Sequence, residues 1–264
     1  MKLYNNVIIP DIGLGTWLIS NDKVAGVVVD AIKIGYRHID TAQAYENEEG
    51  VGKGIKESGI KRKDIFVTTK VAAEIKDYKL AKKSIEESLK KLGLDYVDLL
   101  LIHCPVPWDE YGSGRYNYFK ENAEVWKALE EAYMAGKAKS IGVSNFQISD
   151  LENIFKNCKI MPMVNQVYAS PTQVPFELVN YCKDHNIVFE AYSPLSHGKA
   201  KDNKLIQDIA KKNNKSFSQI CLKYLLTKNL VVLPKASSYE HLKENFDLDF
   251  DFDKEDIKLI DDNN

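Results

Sequence analysis

"LAKKSIEESLKKLGLDYVDLLLIH", residues 80 to 103, contains one helix-to-strand unit and ends on a polar side chain. In its first half, apolar residues recur near one face of a predicted helix, with Lys and Glu on the opposite face. The apolar residues are Leu80, Ile85, Leu89 and Leu92. Gly93 then supplies a C-cap. The final segment, "DLLLIH", is apolar on consecutive positions, which is typical of a strand buried on both faces, as in a parallel sheet covered by helices.

The same alternation of strand-like and helix-like segments continues through the chain at intervals of roughly 30 residues. It predicts eight strands near residues 14–17, 37–40, 65–70, 97–103, 140–143, 163–166, 188–192 and 231–234. No linker or low-complexity tract interrupts the series. We therefore expect a single α/β domain over residues 1–264, a (β/α)8 TIM barrel. An N-terminal β-hairpin around Asn5-Asn6 should precede it, and a short C-terminal helical tail should pack outside it.

Composition excludes several classes of function. Of 264 residues, 44% are hydrophobic and 28% charged, and 36 basic against 38 acidic residues leave a net charge of -2. Such a balance offers no basic stripe for nucleic acid and no polybasic surface for a membrane. The N-terminal segment lacks the apolar core of a secretory signal, and no stretch is long enough for a membrane span. Four separated cysteines without a C-x-x-C pair fit reduced thiols, so we predict a cytoplasmic protein.

Polar residues fall at the carboxyl ends of the predicted strands, where barrel enzymes place their catalytic groups. One such residue has an ordinary structural explanation: an Asp can cap a helix, a Lys can pair with an acid and a His can be a satisfied core imidazole. Several in one ring favour a shared site, because burying so many polar groups for packing alone is costly. The ring comprises Asp40, Tyr45, Lys70, His103, Ser144, Asn145, Gln166, Tyr192 and Lys235.

Four of these residues suit the delivery of a proton to an oxygen. A free phenol has a pKa near 10, so Lys70 beside Tyr45 is expected to lower that pKa, while Asp40 keeps Lys70 charged. Tyr45 then acts as a general acid, and His103 donates a hydrogen bond to the same oxygen. No Ser or Cys nucleophile with a base is evident, and no metal-binding pattern is present, so we predict no metal. The missing reactant is a hydride donor, which a reduced nicotinamide would supply.

The chain also resembles the aldo-keto reductase family, whose members are (β/α)8 barrels that reduce carbonyls with a nicotinamide cofactor. The resemblance runs through nearly the whole chain in eight segments: "GLGTW" at 13–17, "GYRHIDTAQAYENEEGVG" at 35–52, "VTTKV" at 67–71, "DLLLIH" at 98–103, "IGVSNF" at 141–146, "NQV" at 165–167, "AYSPL" at 191–195 and "LPKASSYEHLKENF" at 233–246.

The resemblance assigns roles residue by residue. The family's catalytic tetrad matches Asp40, Tyr45, Lys70 and His103. By similarity, Ser144, Asn145 and Gln166 hold the nicotinamide carboxamide and Tyr192 stacks on its ring. The remaining cofactor contacts implied by the family are Ser193 and Leu195 at the pyrophosphate, Lys235 and Ser237 at the adenosine phosphate, and Glu244 and Asn245 near the adenine. The glycines of "GVGKG" at 50–54 are interpreted as helix-packing positions and not as a phosphate loop.

Three departures from the family pattern bear on specificity. His241 replaces a common Arg near the adenosine phosphate, so NADP(H) is expected but NAD becomes possible. Cys104 replaces the Trp that often follows the catalytic His, and Trp17, with Trp108 or Tyr111, would then supply the aromatic wall for substrate. Only a short tail follows Phe246, where many relatives close the pocket with a longer extension.

These observations predict a reductase that converts a small aldehyde or ketone to an alcohol and works as a monomer, without nucleic acid or membrane partners. Two alternatives stay open. One is a nicotinamide-binding regulatory or sensor subunit with little turnover. The other is a barrel isomerase or aldolase in which Lys70 forms a Schiff base, which requires an uncharged amine.

Overall fold

Eight parallel strands form one sheet in the order in which they occur along the chain. The computed structural model describes residues 1–114 and 117–264. The strands are β1 (Leu14–Gly15), β2 (His38–Asp40), β3 (Phe66–Val71), β4 (Leu99–Ile102), β5 (Ile141–Ser144), β6 (Val164–Tyr168), β7 (Val188–Tyr192) and β8 (Val231–Leu233).

The last strand returns to the beginning of the first and closes the sheet. Ile12, just before β1, forms a parallel bridge with Val232 of β8. The backbone N–H of Gly13 donates to the Val232 carbonyl at 2.9 Å, and that of Gly15 donates to the Pro234 carbonyl at 3.0 Å. The sheet therefore has no open edge at this junction, and the predicted (β/α)8 barrel is confirmed.

Helices connect the strands and cover the outer surface of the barrel. They are α1 (Asn21–Ile34), α2 (Glu48–Glu57), α3 (Tyr78–Leu92), α4 (Phe119–Met134), α5 (Ile148–Asn157), α6 (Phe176–Asp184), α7 (Lys204–Lys212), α8 (Phe217–Thr227), α9 (Tyr239–Phe246) and α10 (Lys254–Asp261). Among the described residues, no helix combines the length and apolar character needed to cross a membrane.

The strands alternate between an outer face under the helices and an inner face that fills the barrel, because successive side chains in a strand point to opposite sides. Outward residues of β3 and β4, such as Val67 and Leu100, belong to the large helix-covered core. Inward residues near the amino ends, Phe66, Leu99 and Leu101, belong to a separate apolar cluster. Further along the chain, the inner face becomes polar at Thr68 in β3 and at His103 directly after β4. The barrel thus has an apolar floor and a polar mouth.

The two ends of the chain lie where the sequence predicts them. In the N-terminal hairpin, Lys2 forms an antiparallel bridge with Ile8. Leu3 and Ile9 join the apolar cluster at the floor of the barrel. At the other end, α10 packs outside the barrel, where Asp261 accepts a hydrogen bond from Tyr224 of α8 at 2.7 Å.

The buried face of α3 contains partly different residues from those that the sequence predicts. Leu80 is 56% exposed, whereas Ile85, Leu89 and Leu92 are buried as expected. The small residues Ala81, Ser84 and Ser88 complete the buried face instead. Leu80 lies in the first turn of α3 and is rotated away from the stripe that meets the barrel, so its assignment to that face is wrong. Gly93 does end the helix, with a left-handed φ of 64°.

The glycines of α2 serve close helix packing, as predicted. A Cβ at Gly52 would lie 2.0 Å from the Leu92 carbonyl oxygen at the end of α3, and one at Gly50 would lie 2.3 Å from the Asn21 carbonyl oxygen of α1. Neither obstacle is a flexible side chain, so neither can move aside easily. These contacts bring α2 against both neighbouring helices and fix the direction in which the chain leaves the β2 loop.

Replacing Gly52 by Ala should destabilise the fold by about 1 to 3 kcal/mol, the usual cost of overpacking. Gly26 is the matched control because it is also helical and a Cβ there meets nothing within 4 Å. Gly26→Ala should therefore stabilise the protein by about 0.5 to 1 kcal/mol. Urea unfolding of the two variants measures both effects. Equal stabilities would contradict the packing role of Gly52.

Candidate active site

A buried ion pair lies at the carboxyl ends of β2 and β3. Lys70 is fully buried, and its Nζ donates to Asp40 Oδ1 at 2.7 Å, to the Thr41 carbonyl at 3.0 Å and to the Tyr45 hydroxyl at 3.3 Å. Each of the three hydrogens of the Lys70 ammonium therefore has its own acceptor. Burial disfavours the charged amine, but Asp40 and Tyr45 more than offset this effect and raise the pKa of Lys70 above its ordinary value.

Tyr45 lies beside this ammonium but does not have a lowered pKa. Burial raises the pKa of Tyr45 above its usual value, Lys70 opposes the change and Asp40 adds to it. The expectation that Lys70 lowers this pKa below that of a free phenol is therefore wrong, because desolvation of the phenolate outweighs the attraction of the ammonium. The hydroxyl consequently holds its proton firmly at neutral pH.

His103 follows β4 and faces Tyr45, with ring centroids 5.5 Å apart. Burial, with a smaller contribution from Lys70, lowers the pKa of His103 well below its ordinary value. The ring is therefore neutral at pH 7 and can carry only one N–H. Within the described residues, the buried Nδ1 has no hydrogen-bond partner. An unpaired buried donor costs more than an unpaired acceptor, so the Nε2–H tautomer is favoured.

Asn47 fixes the loops that carry Tyr45 and Trp17. Its buried side-chain amide donates to the carbonyls of Thr16 and Ile19, both at 2.9 Å. Its Oδ1 accepts from the Thr41 hydroxyl at 2.7 Å. The β1 and β2 loops are thus joined through one amide. Sequence reasoning did not identify this residue, since an Asn before a helix is usually only a capping residue.

The ion pair borders a cavity of about 760 Å³ at the mouth of the barrel. Three tetrad residues line it directly, and Lys70 lies beneath them. The predicted site residues among its lining are Trp17, Asp40, Tyr45, His103, Trp108, Ser144, Asn145, Gln166, Tyr192, Ser193, Leu195 and Lys235. In the described part of the chain, no group of three or more His, Cys, Asp or Glu side chains could hold a metal ion.

Asn145, on the wall of this cavity, combines an uncommon backbone conformation with a side-chain amide that is fixed by hydrogen bonds. Its backbone has a left-handed φ of 63°, which is uncommon for a non-glycine residue. Nδ2 donates to the His103 carbonyl at 3.0 Å, and Oδ1 accepts from the Tyr192 hydroxyl at 2.8 Å. Ser193 also has a positive φ, of 50°. Such outliers persist where the surroundings enforce them, and they concentrate at functional sites.

Comparison with known proteins agrees with this geometry. The profile of the Aldo/keto reductase family matches residues 11–264. The chain belongs to this family. It is therefore an oxidoreductase of the aldo-keto reductase type, and members of this kind carry out carbonyl reduction. The resemblance inferred from the sequence motifs is confirmed.

Individual relatives of this aldo-keto reductase cover nearly all of the chain. Glyoxal reductase of Bacillus subtilis (strain 168) is 44% identical over 263 residues, which is 99% of this chain and 91% of the relative. An aldo-keto reductase, MGS-M4, from a Medee basin deep-sea metagenome library superposes with a TM-score of 0.93 at 41% identity, covering 100% of this chain and 94% of that one. Bombyx mori aldo-keto reductase in complex with NADP gives a TM-score of 0.88 at 35% identity, covering 99% and 91%.

Four of the predicted cofactor residues in this aldo-keto reductase lie beyond the cavity lining. Ser237 and His241 are exposed, near and within the first turn of α9. Glu244 accepts a hydrogen bond at 2.7 Å from Ser216, the N-cap residue of α8, and Asn245 is buried. Ser237 and His241 thus offer exposed side chains in the segment that follows Lys235, whereas Asn245 does not.

The loop after His103 supplies aromatic side chains at the position where the sequence has Cys104 in place of a Trp. Cys104 is fully buried and does not line the cavity. Trp108 stands edge-on to His103 with centroids 5.0 Å apart, and Tyr111 stands edge-on to Trp108 at 5.6 Å. Edge-to-face pairs at these distances are favourable. The aromatic surface is therefore present, supplied from a different position in the chain.

Several lining residues were absent from the sequence prediction: Gly15, Leu18, Ala44, Pro194, His197, Gly198 and Leu233. The His197 ring lies 5.5 Å from that of Trp17, so the β7 and β1 loops meet over the cavity. His197 has a left-handed φ of 55°. The turn is favoured by the adjacent Gly198, but a single His in a polar loop gives no sequence signal of its position.

We expect His38 and His103 to remain neutral from about pH 7.5 down to about pH 5, where an ordinary imidazole is largely protonated. Burial, reinforced by the charge of Lys70, lowers the pKa of His38 to about 3 and that of His103 well below 6.5. Nitrogen-15 NMR of the five imidazoles, assigned with His38→Asn and His103→Asn, measures this directly. A midpoint near 6.5 for either ring would contradict the prediction.

Proposed function

We propose that this aldo-keto reductase reduces small aldehydes to alcohols with NADPH and that Tyr45 is the general acid. The observation that carries the proposal is the position of the Tyr45 hydroxyl, 3.3 Å from Lys70 Nζ, on the wall of a cavity that His103 also lines. A carbonyl oxygen placed between Tyr45 and His103 would meet two hydrogen-bond donors. Both donors carry their hydrogen at neutral pH.

The residues of the cleft suit a nicotinamide. Gln166 directs both amide hydrogens into the barrel, toward Asp40 at 2.8 Å and Glu190 at 3.0 Å, so its Oε1 is available as an acceptor for a carboxamide. We propose that Ser144, Asn145 and Gln166 hold this group and that Tyr192 supports the ring. When bound, a reduced nicotinamide supplies the hydride that the protein itself lacks.

The protein's own part in the reaction is to supply and control a proton. Tyr45 donates its hydroxyl hydrogen to the substrate oxygen, and the resulting phenolate is stabilised by the Lys70 ammonium. Asp40 holds that ammonium in position through a 2.7 Å ion pair. His103, neutral and donating through Nε2, orients the carbonyl oxygen. The apolar surface of Trp17 and Trp108 limits water at the reacting carbon.

Substrate and cofactor preferences follow from the cleft and from the relatives. A glyoxal reductase is among the proteins that the chain resembles, and the aromatic side chains of Trp17, Tyr45 and Trp108 in the cavity wall suit short aldehydes such as 2-oxoaldehydes. NADPH is favoured by Lys235 and Ser237, proposed contacts of the adenosine phosphate together with His241. Glu244 and Asn245 are proposed near the adenine, and Ser193 and Leu195 near the pyrophosphate. We also propose a cytoplasmic, single-domain monomer.

The alternative reactions have less support. Schiff-base chemistry at Lys70 needs a neutral amine, but Asp40 and Tyr45 raise the pKa of Lys70 despite its burial. A sensor subunit would not need the buried ion pair behind Tyr45, and such a pair is expensive to maintain without a purpose. Neither alternative is therefore proposed for this chain.

Tyr45→Phe should lower kcat for methylglyoxal with NADPH by about 10² to 10⁴-fold, because it removes the proton donor. The dissociation constant for NADPH, measured by fluorescence titration, should change less than about threefold. Tyr224→Phe is the control: it also removes a buried hydroxyl, one that donates to Asp261 outside the barrel at 2.7 Å. Near-normal turnover by Tyr45→Phe would exclude the proposed acid.

His241→Arg should increase the preference for NADPH over NADH by about two- to fivefold, the range of an exposed ion pair. Arg carries a permanent charge and can bind a phosphate with two donors held in one plane, a geometry that an imidazole does not offer. His185→Arg adds the same charge at an exposed position of the loop after α6 and controls for net charge. Equal tightening of both cofactors by His241→Arg would contradict this assignment.

A further inference from the structure

A second carboxylate lies inside the barrel beneath the proposed nicotinamide site. Glu190 is the middle residue of β7 and is fully buried. Its Oε2 accepts from Gln166 Nε2 at 3.0 Å, while Asp40 Oδ2 accepts from the same nitrogen at 2.8 Å. Burial of an acidic side chain at 0% exposure is rare without such a partner.

The two carboxylates together determine which way the Gln166 amide points. An amide nitrogen has two hydrogens, and here each is directed at a different carboxylate. Rotating the amide by half a turn would place its oxygen against the Asp40 carboxylate, which is repulsive. Within the described residues, no donor reaches Gln166 Oε1. Asp40 alone would leave the second hydrogen free to point elsewhere, so Glu190 completes the restraint.

We propose that Glu190 is a positioning residue for the cofactor: it fixes the Gln166 amide so that Oε1 faces the cavity and accepts a hydrogen bond from the nicotinamide carboxamide. This inference depends on the proposed function, since it assumes a nicotinamide in the cleft. Glu190 itself does not line the cavity and contacts no reacting atom. Its effect on the cofactor passes through Gln166.

The charge of Glu190 adds a pH dependence to this restraint. The groups that face it are His38 and Asp40 from β2, Lys70 from β3 and the uncharged Gln166 from β6. Burial and the nearby Asp40 raise the pKa of Glu190 to about 8, against the opposing effects of Gln166 and Lys70. Loss of this proton strengthens the hydrogen bond from Gln166, since bonds to an ionised acceptor are stronger. Cofactor affinity should therefore increase as pH rises through this pKa.

The test compares Glu190→Gln and Glu190→Leu with the wild type by fluorescence titration of NADPH, with kcat measured at saturating cofactor. We expect the dissociation constant at about pH 9 to rise about two- to fivefold in Glu190→Gln, which resembles the protonated acid, and about tenfold in Glu190→Leu, which has no acceptor, with kcat within about threefold. In the wild type, affinity should increase about two- to fivefold between about pH 7 and about pH 9, and this increase should be absent in Glu190→Gln.

Glu48→Gln is the matched control, because Glu48 is a second buried acid with a raised pKa, bonded to Thr69 and not to Gln166. It should bind NADPH like the wild type.

Wild-type affinity and pH dependence in a folded Glu190 variant would overturn the inference, and thermal unfolding shows whether each variant is folded. A wild type that binds NADPH but reduces no carbonyl overturns the proposed function alone. If the wild type binds no NADPH, both are overturned. If neither variant folds, a wild-type affinity that does not change with pH overturns the inference.

Discussion

The ammonium of Lys70 is the charge on which the rest of the site depends. It is fully buried, so each of its hydrogens must find an acceptor inside the protein. All three acceptors, Asp40, the Thr41 carbonyl and Tyr45, come from the six residues at the end of β2 and the loop after it. Removing one partner of such a pair typically costs about 3 to 5 kcal/mol. A single charge therefore fixes the β2 loop on β3 and places the phenol.

The barrel makes this charge tolerable by concentrating polar groups at one end. On the inner face of β3, Phe66 lies on the floor, Thr68 in the middle and Lys70 at the mouth, two residues apart. Thr68 bonds to His38 at 3.0 Å. The period of two thus carries the interior from apolar to polar within one short strand. Hydrophobic packing at the floor stabilises the fold, while the mouth is left to hydrogen bonds and ion pairs.

Strand positions and polar strand ends could be predicted from the sequence because each depends on local pattern. β7 was predicted at its observed limits, and Asp40 and Tyr192 end their strands as expected. What could not be predicted depends on contacts between distant segments. Glu190 lies in an otherwise apolar strand, and only Gln166, from the neighbouring strand, explains it. Asn47 joins two loops through contacts 28 and 31 residues apart in sequence.

Leu80 shows that a local pattern can also predict a wrong position, since the apolar pattern of the helix alone assigned it to the core. Leu80 is 56% exposed because it lies on the outer side of the first turn of α3, whereas the neighbouring Ala81 is fully buried. Similarly, the substitution of Cys104 for Trp suggested a missing wall. The replacement, Trp108, comes from a loop whose path no periodicity describes. Its role in the cavity depends on an edge-on contact with His103 that only the folded chain shows.

Burial and charge have opposite effects on the pKa of Tyr45. A nearby cation favours a phenolate, but removing the phenolate from water disfavours it more, so the net shift is upward. In the proposed reaction, this shift keeps the proton on Tyr45 until a carbonyl is bound. Each unit of pKa corresponds to about 1.4 kcal/mol between the two protonation states. In the proposed reaction, Lys70 does not create a phenolate in advance but reduces the cost of forming one when the proton is transferred. That requires the ammonium to be fixed already, which the Asp40 pair accomplishes.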